Sequence, residues 1–120
     1  MRKTVLSSAT LAVLALLAVV PAPAQSAAPI TVTAMVENQV CLSKDFVQVT
    51  FSAISTSDTQ PVGYRWDFNN DGRADTKLTT DPSGVQIFAD ESAFTSKVSA
   101  VNKAGERAQD SISFSTLKCK

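Results

Sequence analysis

"YRWDFNNDGRADT", residues 64–76, joins an aromatic run to a cluster of Asp, Asn and Gly. Extended back to Val62, it sets Val62, Tyr64, Trp66 and Phe68 on one side of a strand, with Arg65 and Asp67 on the other. Apolar residues at a period of two mark a strand with one face in a core. The residues that follow favour turns for backbone reasons. Gly accepts positive φ, and Asn and Asp hydrogen-bond the main chain just beyond themselves.

The same alternation extends outward on both sides. "ITVTAMV" aligns Ile30, Val32, Ala34 and Val36 against Thr31 and Thr33, and "VQVTFSAI" aligns Val47, Val49, Phe51 and Ala53 against Gln48, Thr50 and Ser52. Downstream, "FTSKVSAV" gathers Phe94, Val98 and Ala100, with Ser96 interrupting the face, and "SISFST" adds Ile112 and Phe114. Phe46 and Phe88 fall outside the inward register, as exposed rings or as local packing under a loop. Polar breaks separate the runs: "STSDTQP", then "DPSG" at Asp81–Gly84, which matches a type I turn, then "NKAG" at Asn102–Gly105. No stretch beyond residue 29 sustains a 3.6-residue apolar period. Short strands between turns predict an all-β protein, an antiparallel β-sandwich.

The N-terminal stretch is of another kind. Arg2 and Lys3 precede an apolar run from Thr10 to Val20, and small residues and prolines follow. That order is the pattern of a cleaved secretory signal peptide over residues 1–26. Ala22-Pro23-Ala24 and Ala24-Gln25-Ser26 are the candidate cleavage sites, so the cut falls near 24–26. A run of roughly 11 apolar residues is short of the ~20 that span a bilayer. We therefore expect no membrane span after cleavage, and a single domain over residues 29–120.

Charge and cysteine content narrow the chemistry. Without Arg2 and Lys3 the chain has nine Lys and Arg against eleven Asp and Glu, a formal charge of −2. A weakly acidic chain with no basic block argues against nucleic acid as a partner. There is no histidine, which excludes Ser-His-Asp and Cys-His catalysis and withholds the commonest zinc ligand. Cys41 and Cys119 are the only cysteines, and in an exported chain an even pair most simply forms one disulfide. Closing a loop of about 80 residues stabilises by at most roughly 4 to 5 kcal/mol on the chain-entropy model. Lying before the second strand and after the last, the pair would tie the ends of the domain together. The bridge between core strands of immunoglobulin domains is placed differently.

The motif of Tyr64, Trp66, Asp67 and Phe68 with the turn "NNDG" through Gly72 resembles that of PKD domains, the immunoglobulin-like modules of the polycystic kidney disease protein type. "VTFSAISTS" upstream is similar to the family's apolar-then-serine strand. "VQIFADESAFTSKVSAVNKAG" is looser. Gln86-Ile87-Phe88 stands for His-Thr-Tyr, Phe94 for a tyrosine, and Asn102 for an aspartate. The resemblance spans about residues 30–116. It implies an immunoglobulin-like sandwich of about seven strands, a role in adhesion or beside secreted enzymes, and no catalytic residues.

The acidic turn has two readings. Asp67, Asn69, Asp71, Gly72 and Asp75 occupy positions 1, 3, 5, 6 and 9 of an EF-hand-type calcium frame, with the backbone carbonyl of Arg73 at position 7. Position 12 is Leu78, so the bidentate glutamate is missing, and no helix flanks the loop. A solvated turn between strands accounts for the same residues. Asp90-Glu91 beside Ser92 suggests paired carboxylates or a charged loop tip, and Asp58 and Asp110 read as turn and strand-edge residues. The expectation is a secreted or periplasmic, non-catalytic binding or adhesion module whose partner is an exported protein or a polysaccharide. Calcium is the one possible ligand ion. The alternative is a small disulfide-stapled secreted inhibitor or effector that presents binding loops.

Overall fold

The computed structural model describes residues 29–120, so the signal-peptide reading lies outside the described residues. Six strands follow one another: β1 (Thr31–Cys41), β2 (Phe46–Thr56), β3 (Val62–Asp67), β4 (Ser83–Ala89), β5 (Ala93–Asn102) and β6 (Arg107–Ser115). They form two antiparallel sheets, β1–β2–β4 and β3–β5–β6. Six strands replace the expected seven or so. Residues 69–82, rich in Asn, Asp, Gly and Pro, form only one isolated bridge, from Thr79 to Tyr64. No helix among the described residues is long and apolar enough to cross a membrane.

The alternating residues meet between the sheets as their spacing requires. Val47, Val49, Phe51, Trp66, Val98 and Ser96 are all but fully buried. Phe51 is the hub of the aromatic core, its ring centroid 5.3 Å from Trp66, 5.5 Å from Phe68 and 5.3 Å from Phe114. Ser96, which interrupts its apolar face in sequence, donates its hydroxyl to the Phe68 carbonyl at 2.6 Å. A buried hydroxyl with a partner escapes most of its desolvation cost. Phe46 is 51% exposed, but Phe88 is buried. Phe88 pairs across the ladder with inward-facing Val47, and this register brings it against Phe94 at 4.8 Å.

A bulge in β1 explains how the disulfide closes. The register with β2 shifts between Val36 and Asn38, because two residues oppose one at that point. Before the shift the even-numbered residues face inward. After it Gln39 and Cys41 oppose inward-facing Val49 and Val47. Without the extra residue Cys41 would point outward. With it, Cys41 bonds Cys119 across a Cα–Cα distance of 5.8 Å, tying the end of β1 to the tail after β6. Side chains close the same seam elsewhere. Ala34 N donates to Asp110 Oδ2 at 2.8 Å, and the Gln39 amide bonds the Ser115 carbonyl and the Leu117 N–H.

"NKAG" closes the β5–β6 hairpin, with Gly105 N donating to Asn102 O at 3.0 Å and Gly105 at φ 87°. "DPSG" behaves differently from the type I turn its residues predict. Pro82 O accepts from Ala53 N at 3.0 Å, and Ser83 N donates to Asp81 Oδ1 at 2.9 Å. The ladder with β2 thus holds this segment extended, and Ser83 and Gly84 are the first residues of β4.

Candidate functional site

The acidic turn is built by its own side chains. Asp67, 5% exposed, accepts from Asp71 N at Oδ1 (3.2 Å) and from Gly72 N at Oδ2 (2.8 Å). Asn69 Oδ1 also accepts from Asp71 N, and Asp71 Oδ1 accepts from Arg73 N at 2.9 Å. Asp75 Oδ2 reaches back to Phe68 N at 2.8 Å. Asn70 (φ 55°) and Gly72 (φ 90°) supply the left-handed residues that let the chain wrap around Asp67. The Arg73 N–H bond, above all, holds the Asp71 carboxyl below its ordinary value.

The residues of the calcium frame are therefore neighbours, and side-chain oxygens of Asp67, Asn69, Asp71 and Asp75 face backbone N–H groups. Among the described residues no group of three or more His, Cys, Asp or Glu is arranged to hold a metal ion. The calcium reading rests on spacing alone. The Asp of the Tyr-x-Trp-Asp-Phe motif has a role that needs no ion: both its oxygens cap the turn. Asp90 and Glu91 do not act together. Asp90 accepts from Cys119 N at 3.1 Å, and Glu91 pairs with Lys118 at 3.9 Å on the surface.

Beyond the turn, the chain folds back along the free edge of β3. Asp75 N donates to Trp66 O (2.7 Å), Trp66 N to Thr76 Oγ1 (2.9 Å), and Tyr64 and Thr79 exchange two backbone bonds. This places Leu78 over Gly63, where an added Cβ would come within 3.0 Å of Leu78 Cγ. The returning segment becomes one wall of a groove of about 280 Å³ on the outer face of β3–β5–β6. Its floor is the outward set of three strands. Arg65, Ser99 and Gln109 lie in one cross-strand row, Arg107 beside Val101 in the next, and Lys97 beside Asp67 on the other side.

The groove concentrates positive charge in a chain that is otherwise acidic. Among the described residues the salt bridge found is Lys118 to Glu91, so Arg65, Lys97 and Arg107 have no carboxylate within salt-bridge distance. Asp67, the nearest acid in the lining, has both oxygens on the turn's N–H groups. Guanidinium groups offer a planar fork of donors to carboxylates, and an ammonium offers a mobile point charge. Ser99 and Gln109 add neutral donors and acceptors for hydroxyl groups. Sequence reading placed Arg65 on the outward face but did not gather it with Lys97 and Arg107. The signal was the outward half of each alternation, and only cross-strand register brings it together.

The chain matches no protein-family model, and no curated protein matches it in sequence.

Proposed function

We propose that this chain is a non-catalytic binding module of PKD type, acting outside the cytoplasm in a secreted or periplasmic setting. Its ligand is an acidic polysaccharide held in the groove on β3–β5–β6. The groove carries the reading: Arg65, Lys97 and Arg107, all without ion-pair partners, line one concave polar surface with Ser99 and Gln109. Support for the PKD assignment comes from Tyr64 and Trp66, buried on β3, from Phe68, buried just after it, and from Asp67, which caps the turn that follows. The Cys41–Cys119 disulfide is consistent with an oxidising compartment.

Titration with a linear polyuronate and with a neutral glucan tests the proposal. Polyuronate should bind, added salt should weaken it by screening, and the glucan should not compete. Arg65→Ala with Arg107→Ala removes two charge-assisted contacts worth roughly 1.5 to 3 kcal/mol each, so the loss should be at least about a hundredfold. Binding that ignores both salt and these substitutions, or no polyuronate binding at all, overturns the reading.

A further inference from the structure

Sheet β1–β2–β4 ends on β4, and the hydrogen-bond phase of that strand follows from its contacts. Ala53 N bonds Pro82 O in the register that pairs Phe51 with Gly84 and Val49 with Gln86. In an antiparallel ladder, bonded pairs recur every second residue. Gly84, Gln86 and Phe88 therefore turn their backbone groups toward β2, and Ser83, Val85, Ile87 and Ala89 turn theirs away. The ends agree with this phase: Ser83 N is taken by Asp81 and Ala89 O by Thr116 Oγ1 at 2.8 Å. Between them, nothing among the described residues pairs with the outward N–H and C=O groups of Val85 and Ile87.

Other edges of the sandwich are covered: that of β3 by Asp75–Thr79, and that of β1 by its links to β6. Between its capped ends β4 has none of the usual devices against strand addition. From Ser83 to Ala89 it holds no charge and no proline, and Val85 and Ile87 are 51% and 52% exposed. Such an edge is a template for another strand.

We propose that β4 is the site where a second copy of this chain adds, antiparallel, about a two-fold axis through Gln86. The strand is self-complementary in that register. Val85 and Ile87 oppose Ile87 and Val85 of the other copy as bonded pairs, with their apolar side chains adjacent on one face. On the other face Gln86 meets its own copy, amide to amide, and Phe88 stands opposite Gly84. No charge within the strand opposes like-with-like pairing. At each end Asp81 falls opposite Glu91 of the other copy, so screening by salt tightens the dimer. The interface is small, in the class of weak and reversible association.

Sedimentation velocity over a concentration series, on protein purified after export, should show monomer passing to dimer, with more dimer at higher salt. Ile87→Pro removes an outward N–H and none of the bonds to β2, a change edge strands tolerate. It should hold the protein monomeric with the monomer's melting temperature little changed. Gln86→Cys should cross-link to its own copy under mild oxidation, because non-bonded pairs lie about 4.5 Å apart at Cα, within disulfide reach. Val85→Cys, displaced along the strand from its own copy, should not. A protein monomeric at every concentration overturns the proposal, as does Gln86→Cys cross-linking no faster than Val85→Cys. A dimer that survives Ile87→Pro but is lost in Ile54→Lys, on the outer face of β2, would mean stacking of faces and equally overturn it. So would a monomer whose β4 amides are protected only by an unrelated extended peptide.

Discussion

Gly84→Ala should destabilise the domain, although the backbone there permits alanine. Gly84 lies in β4 with no left-handed φ, and at such a site Gly→Ala ordinarily gains about 0.4 to 1 kcal/mol by restricting the unfolded chain. Here the new Cβ would stand 2.9 Å from Trp66 Cδ1 and Nε1 and 3.1 Å from Phe68 Cζ. Neither ring can yield. Trp66 is 1% exposed, lies parallel to Phe68 at 5.9 Å and packs on Phe51 at 5.3 Å. Overpacking of a filled core costs about 1 to 3 kcal/mol. The clash outweighs the entropic gain and leaves a net loss of about 1 to 2 kcal/mol. Urea denaturation with the disulfide intact should show a lower midpoint at unchanged m-value. In a Trp66→Leu background the flexible side chain leaves room, so Gly84→Ala should be neutral there, a coupling of about 1 kcal/mol or more. Equal cost in both backgrounds, or a stabilised single variant, would refute the contact between the β4 backbone and the indole.

Three further predictions concern the disulfide and the turn. Cys41→Ser reopens a loop closed over a sequence separation of 78 and should cost up to about 4 to 5 kcal/mol. Two titratable thiols in the folded wild-type protein would show that the bond is absent. Millimolar calcium should leave the melting temperature unchanged, because both Asp67 oxygens and one oxygen each of Asn69, Asp71 and Asp75 are committed to N–H groups. A calcium-dependent rise abolished by Asp71→Asn would establish an ion instead, with a Kd no tighter than roughly 10⁻⁴ to 10⁻³ M in the absence of a twelfth ligand. The same variant reports on acid stability. The Asp71 carboxyl lies below its ordinary 3.8 in the folded chain. Its contribution is therefore present above that value and lost as pH falls through the lowered folded one. Asp71→Asn should flatten that part of the acid limb.

Period-two patterning made the core legible from sequence, because burial of one face imposes it directly. Val47, Val49, Phe51, Tyr64, Trp66 and Val98 all went inward as their spacing requires. What sequence hid was decided by relations between strands. The β1 bulge turns Cys41 toward Cys119, yet no residue type signals it. Phe88 looked out of register until its pairing with Val47 set its direction. "DPSG" has the composition of a turn, but the bond from Ala53 N to Pro82 O and the β4 ladder beyond it outweigh a local preference. The basic groove was hidden for the same reason: Arg65, Lys97 and Arg107 come from three strands, and alternation reveals which residues point outward but not which stand side by side.

A two-fold axis through Gln86 stands perpendicular to the sheet it joins, because paired residues of antiparallel strands share a face. β1–β2–β4 of one copy then continues into β4–β2–β1 of the other, and both β3–β5–β6 sheets lie on the same side of that joined layer. The two basic grooves are thus carried on one side of the assembly. A polymer long enough to reach both would bind the second groove at the effective concentration set by their separation, and avidity would exceed the affinity of either groove alone. Salt would separate the two proposed contacts, weakening carboxylate binding at Arg65, Lys97 and Arg107 while easing the repulsion between Asp81 and Glu91 across the pair. A weak edge-strand dimer and a shallow groove are each poor binders alone. Joined in this geometry, they suit a long repeating ligand better than a short one.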